Sequence, residues 1–363
     1  MSTIENVIEG PAAEKKSAPR REMVFSWINK SAAYLSVAGL GWLVPLMKIA
    51  AGDNPREQMG EVWQQLCIPL AGLIIFLSAW AYLAPKVDTS LGAIPGPVEV
   101  YEQAVNLYHD HVTERGKEAA FMERQEARNA KWVEAGHPER VKWRDYTGKP
   151  TYLDQIFTSL YTVALGFLIA TFIAVPLGIM SGLSRAVNGA LNPLIQIFKP
   201  VSPLAWLPIV TMIVSALYVD VSDAMPKSLV ISAVTVTLCS LWPTLINTAH
   251  GVASIDKDLM NVGRVLQLPT WKTVTKLVLP SALPLIFTGL RLSLGVGWMV
   301  LIAAEMLAQN PGLGKFVWDE FQNGSSSSLA RIMVAVLTIG IIGFLLDRLM
   351  YALQAAFTFK TNR

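Results

Sequence analysis

The stretch DKDLMNVGRVLQLPTWKTVTKLVLPSALP, residues 256–284, is a polar connection between two long apolar segments. In its first half, small and apolar residues recur at helical spacing, at Leu259, Val262, Gly263 and Leu266. Its second half repeats this spacing, at Trp271, Val274 and Val278. Pro269 lies between the halves, where the first turn of a helix tolerates a proline. The pattern therefore predicts a helix–turn–helix with an exposed apolar edge.

Two interpretations of this edge are open. An exposed apolar edge beside a membrane is typical of a docking surface for a partner protein. The alternative is a surface helix that packs on its own bundle, which has the same periodicity. In both cases we expect Pro280 and Pro284 to end the second helix before the next apolar segment, because proline lacks an N–H donor.

The composition indicates the class of protein. Of the 363 residues, 16% are charged and 52% are hydrophobic, and the mean hydropathy is +0.41. Soluble domains carry about 25% charged residues. The apolar residues also gather into runs of the roughly 20 residues that a bilayer-spanning helix needs. We predict an all-α integral membrane protein in a lipid bilayer, and the net charge of +3 gives no indication of a nucleic-acid partner.

The apolar runs predict six or seven transmembrane helices. They lie at 32–50, 66–84, 157–183, 191–218, 228–248, 284–308 and 329–357. The first run is short and contains Pro45 and Lys48, so that it could span the membrane or lie at its surface. Pro200, Pro203 and Pro208 interrupt the fourth run, and broken helices at membrane depth need shielding by protein or water. That feature is typical of a multi-helix transporter or channel.

The charge distribution divides the chain into regions. We expect an N-terminal tail at 1–30, N-terminal hydrophobic segments at 31–84, a polar insertion at 85–155, a core at 156–357 and a tail at 358–363. The connection 256–284 is more basic than acidic, which predicts a cytoplasmic position. Counting segments back from there places 85–155 on the periplasmic side, where segments longer than about 60 residues escape the positive-inside rule.

Small residues also recur every four positions in two of the apolar runs. The two columns are Gly166, Ala170, Ala174, Gly178 and Gly182, and Gly289, Ser293 and Gly297. Residues four apart share one helix face, and small side chains on that face let a second helix approach closely. We expect helix packing within one subunit rather than the lining of a path.

The connection 256–284 resembles the coupling loop of the inner-membrane permeases of ATP-binding-cassette (ABC) importers. That loop has a Glu-Ala-Ala triplet, a glycine four residues on and a later Leu-Pro, which Leu279-Pro280 matches. The triplet falls on Asn261-Val262-Gly263 and the glycine on Gln267, which are two departures. Further blocks match in order over roughly 66–357: Ile94-Pro95-Gly96-Pro97, Pro203-Leu-Ala-Trp206-Leu-Pro208, Gly289-Leu-Arg291 and Ala303-Ala-Glu305-Met306.

This resemblance implies the transmembrane domain of a type I ABC importer in the bacterial inner membrane, with a cytoplasmic coupling helix. Two permease copies, as a homodimer, would form the path, a periplasmic binding protein would deliver substrate, and cytoplasmic ATPase subunits would bind ATP and Mg²⁺. The chain itself would be no enzyme and hold no cofactor. The residues implied in coupling to the ATPase are Leu259, Asn261, Val262, Gly263, Leu266, Gln267 and Trp271.

The substrate implied is an oxyanion. The blocks 314–324 and 343–348 look most like those of nitrate or nitrite permeases, and sulfonate, taurine and cyanate permeases are the alternatives. Arg291 is a charge within an apolar run, which makes it a candidate for the translocation path, although it could instead reach the headgroups. Glu305 and Lys199 are further candidates, and Glu305 could instead be a helix-end carboxylate or contact a nearby Arg or Lys. Asp347 and Arg348 are expected to pair with neighbouring helices.

Two other classes of function compete with an importer subunit. A secondary transporter that couples to an ion gradient and works alone would suit the broken run 191–218, but such carriers typically show repeated halves. A membrane enzyme is disfavoured because the four histidines are scattered and no Gly-x-Ser-x-Gly or His-Glu-x-x-His motif occurs. His109 and His111 are too few for a metal site, so none is predicted.

Overall fold

The computed structural model describes residues 24–28, 32, 41–52, 54–89, 92–218, 225–325 and 327–361. Within these residues the chain is helical apart from connections and one antiparallel hairpin, β1 (Asp88–Thr89) with β2 (Gly92–Ala93). It divides into two compact units, Met1–Ile75 and Phe76–Arg363.

In the described part of the N-terminal unit, residues 24–28 are helical, and two short helices and the start of a long one follow. Helix α1 is Leu43–Ala50, α2 is Pro55–Val62, and a π-helical turn at Trp63–Cys67 leads into α3 (Ile68–Leu83). The predicted segment 32–50 falls largely outside the described residues. Its described helix, α1, rises about 12 Å, too little to span a bilayer by itself.

The second unit contains ten further helices among the described residues. In chain order they are α4 (Pro97–Glu134), α5 (Tyr152–Leu183), α6 (Arg185–Phe198), α7 (Pro203–Leu217), α8 (Lys227–Ala253), α9 (Lys257–Val265), α10 (Thr270–Thr273), α11 (Leu279–Ala308), α12 (Leu313–Asn323) and α13 (Ser328–Thr361).

Five stretches of the described chain are long and apolar enough to cross a membrane, namely Pro55–Lys86, Tyr152–Leu183, Lys227–Ala253, Thr270–Ala308 and Ser328–Phe357. A sixth span arises if the bent pair α6 and α7 is counted as one, and the angle between these two helices is 103°. The structure thus contains a helix, or a broken pair, at six of the seven predicted segments.

Helix α8 lies at the centre of the bundle, with α5 and α11 packed along it. Its most apolar window is 56% buried, more than that of any other span described. Hydroxyl groups join the three helices: Thr237 Oγ1 donates to the Gly166 carbonyl over 3.0 Å, and the Thr244 and Ser293 hydroxyls lie 2.7 Å apart. This confirms the prediction that both columns of small residues serve packing within one subunit.

Gly178 shows how closely two of these helices approach. A Cβ atom placed there would lie 2.6 Å from Thr248 Cβ and 2.9 Å from the Leu245 carbonyl oxygen on α8. A backbone oxygen cannot rotate away, so that a methyl group at this position must separate α5 from α8.

We expect Gly178→Ala to lower the stability of the chain by about 1–3 kcal/mol, because overpacking forces backbone shifts. The control is Gly295→Ala in α11, where an added Cβ meets nothing within 4 Å and the helix should gain up to about 1 kcal/mol. Thermal unfolding of the purified protein measures both changes. A Gly178→Ala melting temperature equal to that of the control would contradict the packing described.

The break between α6 and α7 lies at residues 199–202, as the prolines predict. Ser202 caps α7 by accepting a hydrogen bond from the Leu204 N–H over 3.3 Å. The ring of Phe198 lies 5.7 Å from that of Trp206 and 6.3 Å from that of Trp242, centroid to centroid. These ring contacts join the end of α6 to the start of α7 and to α8, while Lys199, Pro200 and Ser202 at the break remain exposed in the single chain.

The polar insertion is a long helix and a returning extended segment. Helix α4 runs for 38 residues, and residues 141–151 come back along it. Gln125 fixes the two together, because its side-chain amide donates to the Arg144 carbonyl (2.8 Å) and accepts from the Arg144 N–H (2.7 Å). The hydroxyl of Tyr146 donates to Glu114 over 2.7 Å and lowers the pKa of that carboxyl, so it is ionised at neutral pH.

The insertion and the connection 256–284 lie at opposite ends of the bundle. At one end, Arg115 of α4 contacts Asp154 at the start of α5 over 2.7 Å. At the other end, a Cβ on Gly182 of α5 would lie 2.5 Å from Val252 Cβ, just before the connection begins. The predicted topology, with the two regions on opposite sides of the membrane, requires this arrangement.

Candidate functional site

The connection 256–284 forms the predicted helix–turn–helix. The Asp256 carboxylate begins α9 by accepting a hydrogen bond from the Asp258 N–H over 2.9 Å. After α9 ends, Pro269 stands directly before α10. Helix α9 and the start of the following long helix, α10, lie at the end of the bundle away from α4.

One face of this hairpin is apolar and uncovered. The exposed fractions are 50% for Val262, 81% for Val265, 63% for Leu266 and 76% for Trp271. We call these four residues the apolar edge. Burying such a group of apolar side chains away from water is favourable, so the complex with a partner that covers them is stabilised. Val265 was missing from the residues implied by resemblance, although its neighbours in sequence indicated this face.

The opposite face of α9 packs on its own chain. Gly263 is buried, and a Cβ there would lie 2.9 Å from Leu277 Cδ1. Leu259 is half-buried, whereas Asn261 and Gln267 are exposed. The hairpin therefore has one face packed on its own chain and one exposed face, and docking of a partner on the exposed face stays a prediction.

Gln267 has a backbone conformation that favours glycine. Its φ is 48°, in the left-handed region, directly after α9. The Leu268 N–H bonds back to the Gly263 carbonyl and the Gln267 N–H to the Arg264 carbonyl, both over 3.0 Å, as in the Schellman ending of a helix. The resemblance places a glycine at this position, and the left-handed turn supplies the physical reason.

The prediction that Pro280 and Pro284 end the second helix was wrong. The helix continues from Thr270 to Ala308, with a π-helical turn at Val274–Val278. Pro280 comes just after this wider turn, inside the continuous helix, where the π-helical turn accommodates its missing N–H. Pro284 lies inside α11, and prolines are tolerated in membrane helices where local π adjustments and neighbouring groups satisfy the freed backbone.

Glu305 is fully buried at the other end of the bundle. Its two carboxylate oxygens lie 2.9 and 2.8 Å from the Ser159 hydroxyl of α5, and one accepts from the Gly314 N–H over 3.0 Å. Ser159 Oγ in turn accepts from the Leu313 N–H over 2.9 Å. The carboxylate thereby joins α5, α11 and α12.

Gly314 is required for this contact. A Cβ there would lie 2.1 Å from the Ile302 carbonyl oxygen and 2.9 Å from Glu305 Cβ. The hydrogen-bond partners of Glu305 among the described residues are neutral groups, and of them Ser159 is distant in sequence. The alternative of a contact with a nearby Arg or Lys is therefore wrong. In this structure Glu305 is enclosed by its own chain, with no exposed surface.

Arg291 pairs with Asp347 of α13. The guanidinium Nε contacts one carboxylate oxygen, and one terminal nitrogen donates to the other over 2.7 Å. This bidentate geometry is the strong form of such pairs. It confirms the expected pairing of Asp347 with a neighbouring helix. Both side chains remain about two-fifths exposed, at 41% and 39%, so the pair lies at the surface of the single chain.

Lys199 is exposed at the break between α6 and α7, as expected. It lines a cavity of about 510 Å³ between α5, α6 and α8. Arg291 lines a different cavity, of about 220 Å³, beside Trp298 and Gly343. The three path candidates thus occupy three separate places in the described chain.

Comparisons of this chain with known proteins agree on one family. A family model described as binding-protein-dependent transport system inner membrane component matches residues 174–360. The bicarbonate transport system permease protein CmpB of Synechococcus elongatus is 35% identical over 310 residues, 83% of this chain and 94% of that protein. The nitrate import permease protein NrtB of Synechocystis is 38% identical over 201 residues, 55% of this chain and 68% of that protein.

A solved structure has the same fold. An inward-facing structure of the MetNI methionine ABC transporter matches with a TM-score of 0.50 at 14% identity, over 57% of this chain and 96% of the matched chain. At this identity the likeness concerns the fold alone.

Proposed function

The chain belongs to the family of binding-protein-dependent transport system inner membrane components, and on this premise we propose that it forms the membrane path of an ATP-driven importer for nitrate or nitrite. The chain is a multi-pass protein of the inner membrane with the fold of an ABC importer transmembrane domain. The proposed path comprises two copies of the chain.

We call the helix–turn–helix at residues 256–284 the coupling hairpin. Its exposed apolar edge is the observation that carries this proposal. A permease needs a surface to which a separate ATPase can bind. On the apolar edge, Val265 and Trp271 are more than three-quarters exposed. ATP and Mg²⁺ would bind in that ATPase, and a periplasmic binding protein would deliver substrate at the opposite end. Closure of the ATPases would then shift the bundle between two states.

A small inorganic oxyanion is the substrate class that we favour. One relative imports nitrate and another transports bicarbonate, and both ions are planar monoanions of similar size. Nitrate is our first choice because blocks 314–324 and 343–348 resemble nitrate permeases. Bicarbonate is the second choice because its permease matches 83% of the chain. Bicarbonate can donate a hydrogen bond, whereas nitrate can only accept.

Among the path candidates we favour the cations. Lys199 and Arg291 are both partly accessible, and positive charge lowers the cost of moving an anion through a bilayer. The Arg291 charge is balanced by Asp347, whereas no carboxylate among the described residues lies within 4.0 Å of Lys199. Glu305 is enclosed by its own chain, and we propose that it supports the outer end of the path structurally.

Reconstitution tests the function. The chain, its ATPase and its binding protein are placed in liposomes with ATP inside, and uptake of nitrate, nitrite, bicarbonate, cyanate and taurine is compared. We expect nitrate or nitrite uptake that requires both ATP and the binding protein. Uptake driven by an ion gradient in liposomes that contain this chain alone would contradict the proposal and favour a secondary transporter.

A further inference from the structure

The cavity beside Lys199 is lined by cations and amides. Arg185 begins α6, Lys199 follows its end, and His250 faces them from α8. Asn188, Asn192 and Gln196, spaced four apart along α6, complete the polar wall. We call this space of about 510 Å³ the basic cavity.

The basic cavity has no negative charge of its own. None of the residues that line it is a carboxylate. In the part of the chain that the structure describes, neither Arg185 nor Lys199 nor His250 takes part in an ion pair. Arg185 and Lys199 are exposed cations that line one cavity without a carboxylate, and their combined positive potential favours a bound anion.

The amides of the cavity are arranged as donors. Asn188 Oδ1 accepts from the Ser181 hydroxyl over 3.1 Å, and Asn192 Oδ1 accepts from Gln196 Nε2 over 3.2 Å. No hydrogen bond among the described residues uses the amide N–H groups of Asn188 and Asn192, so these groups remain to donate. Together with the cations they favour a ligand that accepts hydrogen bonds through several oxygens.

The base of the cavity is apolar. Ile195 and Leu245 line it and are 9% and 2% exposed. A hydrogen bond or ion pair beside such a surface is less weakened by water than one in open solvent. An anion in the basic cavity would therefore contact hydrogen-bond donors on one side and apolar side chains on the other.

We propose that the basic cavity is an oxyanion-binding site, held by Arg185, Lys199 and the amides of Asn188 and Asn192. The ligand is an anion whose oxygens only accept hydrogen bonds. It has two possible sources: the free transported anion, for which the inference rests on the proposed function, or the phosphate of a phospholipid headgroup. The site lies near the end of the bundle that carries the coupling hairpin, because Gly182 and His250 border both.

The test uses the full chain in nanodiscs, without ATPase or binding protein. Nitrate is titrated at constant ionic strength against gluconate, and the rise in melting temperature gives an apparent dissociation constant. Native mass spectrometry measures phospholipid retained by the same samples. The variants are Lys199→Gln, Lys199→Arg as the conservative change, and Lys131→Gln as a matched loss of an exposed charge on α4.

We expect Lys199→Gln to raise the dissociation constant for nitrate at least about tenfold, a loss of about 1.4 kcal/mol, with Lys199→Arg and Lys131→Gln close to wild type. If the source is a headgroup, Lys199→Gln instead loses the retained phospholipid that the other two variants keep. The proposal is overturned if Lys199→Gln matches Lys131→Gln in both measurements. The uptake assay tests the proposed function separately. If the transporter imports nitrate but Lys199→Gln binds nitrate as tightly as wild type, this site is rejected and the proposed function stands.

Discussion

Val262→Asp is expected to reduce the amount of ATPase that co-purifies with the chain at least about tenfold. Val262 belongs to the apolar edge and is 50% exposed, so we expect the substitution to leave the chain itself folded. In the complex, however, the new carboxylate would be buried in an apolar groove without a partner. Burying a charge in this way costs several kcal/mol, whereas about 1.4 kcal/mol already corresponds to tenfold in affinity.

The matched control for this variant is Val133→Asp. Val133 is 58% exposed near the end of α4, at the opposite end of the bundle. The same change at a similar exposure should leave ATPase binding unaltered. Leu259→Asp is a poorer probe because Leu259 is half-buried and its loss would also disturb the hairpin. Normal co-purification of the ATPase with Val262→Asp would reject the assignment of the apolar edge.

Glu305→Ala is expected to destabilise the chain by about 3 kcal/mol or more. The Gly314 N–H and the Ser159 hydroxyl would lose their acceptor in a fully buried site. Each buried group left unsatisfied costs about 1–3 kcal/mol, and the cavity left by the lost side chain adds to this. Glu305→Gln keeps the shape of the side chain and one acceptor oxygen, and we expect it to lose much less stability.

Thermal unfolding in detergent measures this effect, and Glu139→Ala provides the control. Glu139 lies in the polar insertion with its side chain 64% exposed, and its contact with His137 is a surface pair of small value. We expect the order of melting temperatures to be wild type and Glu139→Ala, then Glu305→Gln, then Glu305→Ala. Equal values for Glu305→Ala and Glu139→Ala would contradict the architectural role of Glu305.

The parts of the fold that follow from local pattern were predictable. Apolar length predicted the spans, and proline positions predicted the break between α6 and α7. The four-residue spacing of glycines predicted the faces on which α5 and α11 meet α8. Each of these features depends on residues within one continuous stretch of the chain, which the sequence displays directly.

Long-range contacts could not be predicted in the same way. Ser159 meets Glu305 across 146 residues, and Arg291 meets Asp347 across 56. Each partner was noticed as an unusual polar residue, but nothing in a single sequence joins them. The continuation of the helix past Pro280 was also missed, because it depends on a π-helical turn that no propensity indicates.

The coupling hairpin also shows what resemblance and structure contribute separately. Resemblance placed a glycine at Gln267, and the left-handed φ of 48° explains that preference. Structure divided the implied contact residues into a buried face with Gly263 and an exposed face with Trp271. Only the exposed face can bind a second protein while the hairpin stays packed on the bundle.

The most direct measurement is photo-crosslinking from position 265 in the assembled transporter. Val265 is 81% exposed at the apolar edge, and position 133 on α4 serves as the control. The account predicts a crosslink from position 265 to the ATPase subunit and none to it from position 133. A crosslink from position 265 to the periplasmic binding protein, or to lipid alone, would contradict the assignment of this hairpin as the binding surface for a separate ATPase.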